Sequence, residues 1–498
     1  MGEGFGMTFR RRSRWLPVLA GALLAGGVFV FHARPVPGIA AYRERARPEL
    51  ILGRDEMTRR NAAFLRTGLL KMSGTFHPAE ALAADSELAV KFFGQKCPAP
   101  DPGRLRHDTS PSTALLPAEP VKNLPASAVE ISIVCPAADL FDPAHGIVAH
   151  PFERGHASER AAWVTARQGS RILFESPVGL RIHGGSSRVG PMKSLALIFR
   201  EEYGGQCASP PGLFFGPDTL PVKHLVLLAA YESSQFDAIL ATEMAHRLGC
   251  RTSRSVPAIV RVNGTEIRAP YFVTEHQSPE FVAQRYGLAD IDWFRLKGET
   301  EPPESFIEWR RWQRKDRPFD FAGEAARFDL DDLCSWALAM TYTATTDNDQ
   351  GAYFRDRTRS EAPWQCLTWD LDAAFNNGIY THRDVTIDCR RQCFEILYGE
   401  RGRFFFKAIN QSPEFRERFR AFAREKLAKN LTQPEVLALV DRHIDLARSF
   451  PHAPATVVAE LQANRAILAN RHTRYFEYLD DLIARAERGE APYVFAAE

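Results

Sequence analysis

Hydrophobic and polar positions alternate with period two in short runs between residues 129 and 275, and most of the later chain repeats with helical spacing. Val129, Ile131 and Ile133 make the first such run. Val178, Leu180 and Ile182 alternate with Gly179, Arg181 and His183, the signature of a half-buried strand, and apolar runs at 195–199 and 222–228 follow. Residues 258–262 and 271–274 predict two strands flanking the turn pair Asn263-Gly264. One helix interrupts them, 235–248, with Phe236, Ile239, Leu240, Met244 and Leu248 on one side and Gly249 as its stop. A second helix is expected over 330–346, capped by Asp329 with Asp332 placed as in a capping box. A polar loop, a strand reopening at Tyr353 and Phe354, and a strand at 364–368 come next, and from Arg401 the chain reads as helical. The layout is a sheet of about five strands with one helix, then a mostly helical remainder: an α+β chain.

The N-terminus follows neither period. Arg10, Arg11, Arg12 and Arg14 precede an uncharged apolar run, residues 15–31, long for a signal-peptide core and short for a spanning helix. The arginines favour an uncleaved signal anchor over residues 1–34, a single pass through the inner membrane with the body periplasmic or extracellular. A cleaved signal peptide and a secreted body are the alternative. Residues 35–128 read as amphipathic helix, over 42–72, followed by a proline-rich linker over 97–125. The body divides into a β-rich part, 129–280, and a helical part, 281–498.

Composition adds limits. The 498 residues are 45% hydrophobic and 25% charged, as in a globular chain, and the net charge of +2 comes without a basic stripe, so nothing points to nucleic acid. Eight cysteines are compatible with disulfides in an oxidising compartment, Cys389 and Cys393 being the close pair. There is no GxSxG elbow and no HExxH.

Two stretches carry candidate chemistry. Gly184 and Gly185 break a strand, and successive backbone N–H groups there can wrap around an anion. Ser186, Ser187 and Arg188 add side-chain donors, and Lys193 stands at the mouth of the return strand. Such a hairpin can hold a polyphosphate; an ordinary hairpin with a basic surface fits the same residues, which form neither a Walker A loop nor a GxGxxG. The second stretch is acidic. Asp347 and Asp349 lie in the loop after the 330–346 helix, and Asp370 and Asp372 follow the strand at 364–368. In extended chain the last two face one way, roughly 7 Å apart at Cα. Crowded carboxylates of this kind suit Mg2+ or Mn2+.

Residues 179–204, GLRIHGGSSRVGPMKSLALIFREEYG, resemble the signature segment of the spore coat protein H (CotH) kinase family. Further segments extend the resemblance: Glu159-Arg160-Ala161-Ala162; Ala241, Glu243, Ala245, Arg247, Leu248 and Gly249 in the first helix; Val260–Gly264 with Tyr271 and Glu275; Trp369-Asp370-Leu371-Asp372; and Ser412–Arg416. The resemblance implies a two-lobed, atypical protein-kinase-like fold, with a β-rich N-lobe around one main helix and a helical C-lobe bearing the catalytic and metal loops. It implies transfer of the γ-phosphoryl group of ATP, with Mg2+ or Mn2+, to a hydroxyl (Ser or Thr) of an extracytoplasmic protein or envelope substrate. Gly184, Gly185, Ser186, Ser187, Arg188 and Glu275 would be nucleotide-binding, Lys193 would neutralise phosphate and Glu243 would orient Lys193. Asp347 would be the catalytic acid–base group, Asp370 the metal ligand and Asp372 a second ligand or a structural acceptor. The chain departs from the family where an asparagine is usual after the loop aspartate: Gly351 and Ala352 stand there, leaving Asn348 or Asp349 to substitute. A pseudokinase or surface-binding protein, or an adenylyl or glutamyl transferase on the same fold, are the rival readings.

Overall fold

The computed structural model describes residues 91–92 and 128–490, apart from 190–191, 204–206, 218, 231–232, 297–300, 314–316, 376–378, 383–384 and 389–392. The expected anchor, nearly all of 35–128 and Cys389 lie outside the described residues. Among the described residues no helix is long and apolar enough to cross a membrane.

β1 (Val129–Val134), β2 (Arg160–Gln168), β3 (Arg171–Ile182), β4 (Leu195–Ile198), β5 (His224–Ala229), β6 (Ser255–Val262), β7 (Thr265–Glu266) and β8 (Tyr271–Glu275) form one sheet. Its order is β1-β2-β3-β4-β5-β8-β6-β7, eight strands where about five were expected. β1 also pairs in parallel with β6, so the sheet closes on itself. Alternation explains the closure: Ile131, Ile133, Val164, Leu180, Leu195, Leu227, Val260 and Val273 turn inward and are buried as one core. Phe92, from the segment before the barrel, joins that core and meets Phe141 edge-on at 5.6 Å. The Asn263-Gly264 turn forms as predicted, with φ of 50° and 79°. Asn263 is also a clamp. Its N–H donates to the Ile133 carbonyl (2.8 Å), and its side chain accepts from the Cys135 N–H (3.0 Å) and donates to the Cys135 carbonyl (2.9 Å).

Helix α1 (Ala137–Phe141) is a short turn beside the barrel, and α2 (Ser233–Arg247) packs on its outer face. There Phe236, Leu240 and Met244 share a core with Ile259 and Phe272. The same core continues into the second half of the chain. After α3 (Pro279–Tyr286) come β9 (Ile291–Arg295), α4 (Glu304–Trp312), α5 (Phe321–Ala325), α6 (Leu330–Tyr342), β10 (Ala352–Asp356) and β11 (Gln365–Leu367). These three strands form a second sheet, β11-β10-β9, and β12 (Ile379–His382) pairs with β13 (Val385–Asp388). The remainder is helical: α7 (Gly399–Gln411), α8 (Pro413–Lys429), α9 (Gln433–Ser449), α10 (Ala455–Leu468) and α11 (Arg471–Glu487). The fold is mixed α+β, as expected.

Helix α6 stops at Tyr342, not at residue 346. Ala344 takes a left-handed conformation (φ 51°) and the Thr345 N–H donates back to the Met340 carbonyl (2.9 Å), closing the helix as a Schellman turn does. Its N-terminus also differs from expectation. Asp329 accepts from the N–H groups of Asp331 (3.0 Å) and Asp332 (3.3 Å), but Asp332 does not reach back to complete a capping box. Its buried carboxylate binds Arg251 and the Cys366 N–H instead. Cys207, Cys250, Cys334 and Cys366 are free thiols.

Candidate functional site

The glycine hairpin between β3 and β4 is wound more tightly than an open cradle. The His183 N–H donates to the Ser194 carbonyl (2.8 Å), and residues 186–189 then form a 3-10 turn. Gly184 sits at φ +113°, and a Cβ there would meet Ser187 Oγ at 2.4 Å, so the position requires glycine. Gly185 faces open space. Arg188 is buried and spends its donors on backbone carbonyls: Gly184 (2.6 Å), Pro151 (2.6 Å) and Glu153 (3.2 Å). It braces the loop, where a direct phosphate contact had been expected. Lys193 is buried as well and donates to the Arg188 carbonyl (2.6 Å); burial holds its ammonium down at about 8.

Several residues that carry the sequence resemblance meet away from the loop. A Cβ on Gly179 would strike the Tyr203 ring at 2.7 Å. The Tyr203 phenol donates to the fully buried Glu159 (2.8 Å), and Arg200 grips both oxygens of the same carboxylate at 3.0 Å. His156, Glu159 and Glu202 bring ligand atoms together there, but Arg200 already neutralises Glu159, so a metal has no vacancy to fill. Glu275 is likewise engaged by Arg254 (2.9 Å) and Arg285 (2.8 Å), and serves as the joint between β8, β6 and α3. Glu243 points away from the hairpin. It pairs with Arg247 (3.1 Å) one turn along α2 and with Arg442 (3.2 Å) of α9, and it makes no pair with Lys193. The helical spacing that buries Phe236, Leu240 and Met244 leaves Glu243 toward α9.

The acidic side is assembled by two loops laced together at the end of α6. The Thr346 N–H donates to the Ala373 carbonyl (3.2 Å) and the Phe375 N–H to the Thr343 carbonyl (2.8 Å). Asp370 is in left-handed conformation (φ 63°), so the extended alternation expected for Asp370 and Asp372 is not what aligns them. The lacing does, and it adds Asp347. Protein crowding around Asp372, then the negative fields of Asp370 and Asp347, push its carboxyl up to about 7, although water reaches the side chain. Asp347 accepts from the Tyr398 phenol at Oδ1 (2.6 Å) and from Gln350 Nε2 at Oδ2 (2.8 Å). Asn348 is buried and bonded to the carbonyls of Thr345 (3.0 Å) and Ile396 (2.9 Å), so it cannot stand in as a ligand. Asp349 lies against the start of α7, where a Cβ on Gly399 would come within 2.3 Å of its Cγ. Its field falls on Glu400 and Tyr353.

The sequence reading missed the basic wall. Arg154, Arg181, Arg188 and Arg295 all act on His183, and with burial as the larger cause they hold its imidazole down at about 3 and neutral. Burial and the Arg154 charge lower Arg295, while Asp370 opposes them; Arg295 also stacks over Trp369 at 5.3 Å. Arg295 thus links the basic wall to the acidic loops. Arg181 and His183 were visible as the polar positions of β3, and only their facing side was not.

Residues 321–480 match the CotH kinase protein family. The CotH kinase match takes in α6, Asp347, Asp370 and Asp372, and it begins well beyond the glycine hairpin. Among solved structures, the Helicobacter pylori proinflammatory kinase CtkA aligns over 53% of this chain and 91% of its own, at 9% identity and a TM-score of 0.29. The Golgi casein kinase aligns over 62% and 76%, at 12% identity and 0.28. No curated protein matches the chain.

Proposed function

We propose that the chain is a two-lobed, CotH-type atypical kinase that moves the γ-phosphoryl group of ATP to a Ser or Thr hydroxyl of an extracytoplasmic protein. The observation that carries this is the convergence of Asp347, Asp370 and Asp372 within the matched region, facing Arg295 and the basic wall. The carboxylates fit a divalent cation. Asp372 is raised first by desolvation and then by the charges of Asp370 and Asp347, a repulsion that a cation would relieve, and the donors are all hard oxygens. Asp370 and Asp372 would hold Mg2+ or Mn2+, which when bound neutralises phosphate charge. Lys193 and the N–H groups at Gly185 would bind the phosphates, Arg154 and Arg295 would offset charge, and Asp347 would receive the hydroxyl proton. Export through residues 1–34, with the body outside the inner membrane, belongs to the same proposal and is supported by the arginine cluster and apolar run alone.

A pseudokinase is the second reading, favoured by Glu243 facing Arg442 rather than Lys193. Calorimetric titration of MgATP, together with ADP release, separates the two: binding with no turnover supports the pseudokinase, and no metal-dependent binding sinks both. The binding should also fall with pH. Lys193 is depressed from its ordinary value to about 8, so its charge is present below that pH and lost as pH rises through it. Affinity is expected to drop between about pH 7 and 9 in wild type and far less in Lys193→Arg. Parallel curves would show that Lys193 does not touch the phosphates.

A further inference from the structure

Asp347 is held from both sides, and one of the holders comes from a distant segment. Tyr398 immediately precedes α7, and its phenol O–H reaches Asp347 Oδ1 at 2.6 Å, the short distance of a charge-assisted bond. Gln350 takes Oδ2 from within the loop itself. The contact is not isolated. The Tyr398 N–H donates to Asn348 Oδ1 (3.2 Å), while Asn348 Nδ2 returns to the Ile396 carbonyl (2.9 Å). Two successive loop residues, Asp347 and Asn348, are therefore matched to two positions of the strip leading into α7. Asn348 bonds backbone and is buried; Asp347 stays partly open to water, on the side of Asp372.

Resting on the kinase reading above, we propose that Tyr398 is a positioning residue, which fixes the rotamer of Asp347 so that its carboxylate is aimed at the acceptor hydroxyl. Each carboxylate oxygen has two acceptor sites, so one can stay on Tyr398 while the other takes the incoming proton. The phenol gives the carboxylate a defined direction at no cost to its charge, and a base misplaced by a fraction of an ångström loses rate.

The test is Tyr398→Phe, which removes the O–H and keeps the ring. MgATP is the probe, with ADP release to water as the turnover, and melting temperature and calorimetric affinity are followed in parallel. The expected result is a fall of about tenfold or more in kcat, with KM for MgATP and its affinity unchanged. In an Asp347→Asn background the same change should have no further effect, because Tyr398 acts only through Asp347. Gln350→Leu should lower kcat in the same manner, which guards against one badly folded variant. Unchanged kcat in Tyr398→Phe overturns the inference and leaves the kinase reading standing. A loss of kcat that persists in Asp347→Asn, or that comes with a loss of MgATP affinity, makes Tyr398 structural and overturns it too. A wild type that binds MgATP and releases no ADP removes the kinase reading, and this inference falls with it.

Discussion

Asp347→Asn is expected to lower turnover by about two or more orders of magnitude while MgATP still binds. Asparagine keeps the size of the side chain; its one carbonyl oxygen can accept from Gln350 while its amide donates to the Tyr398 oxygen, so the loop should hold. What it loses is the capacity to take a proton. Asp370→Asn should behave differently. It removes a carboxylate from the pair that raises Asp372, so the site binds a cation less well and nucleotide binding should lose its dependence on Mg2+. Calorimetry with and without the metal, beside ADP release, reads both variants. Equal loss of metal-dependent binding in the two would make Asp347 a ligand and place the base elsewhere.

Arg401→Ala should be the most destabilising single change near the site, by about 3 kcal/mol or more. Arg401 is 1% exposed, yet it carries a charge. Its guanidinium donates to the carbonyls of Asn348 and Gln350 and to Thr368 Oγ1, and it stacks over Trp336 at 4.9 Å. Removing it takes away the Gln350 carbonyl's donor, leaves the Asn348 carbonyl to the Trp336 indole N–H, and opens a void under the Asp347 loop. Lysine is no remedy, since one ammonium cannot span the positions a planar fork reaches. Equilibrium unfolding in urea gives the number; a loss under about 1 kcal/mol would mean that the loop is held by Trp336 and Asn348 without help. Because the same carbonyls flank Asp347, turnover should fall along with stability.

How far these features could be read from the chain depended on their range. Strands β1, β3 and β8 showed themselves by alternation, and the Asn263-Gly264 turn by its residue types. β2 did not. Ala161, Ala162, Val164 and Ala166 are all buried, so there is no polar side to mark a period. The pairing of β1 with β6 is set by the barrel interior, which no local window contains. At the site, the acidic residues were legible as a crowd of carboxylates, but their alignment depends on a left-handed Asp370 and on backbone bonds between the 343–346 and 373–375 segments. Arg181 and His183 were read as the outer side of a half-buried strand, and there Arg181 pairs with Glu159 and His183 packs against His276. Glu243 was assigned by resemblance, and helix phase took it toward Arg442.

The Asn263 clamp joins Cys135 to a residue 128 positions later. β1 is therefore the first strand of the barrel to be synthesised and among the last to find its second neighbour. At roughly 5–20 residues per second its parallel edge waits on the order of ten seconds before β6 exists. Until then β1 has only the hairpin partner β2 on one flank, and Ile131 and Ile133 have no finished interior to enter. Such distant pairing is slow once begun, because the intervening chain must lose its freedom before the contact rewards it. Phe92 belongs to that interior too, so the barrel core is completed only when the earliest and latest parts of the β-rich region come together. The helical half can mature independently of that event only up to the shared face of α2, whose core includes Ile259 and Phe272 of the barrel wall. Barrel closure is thus the step on which completion of that shared core waits.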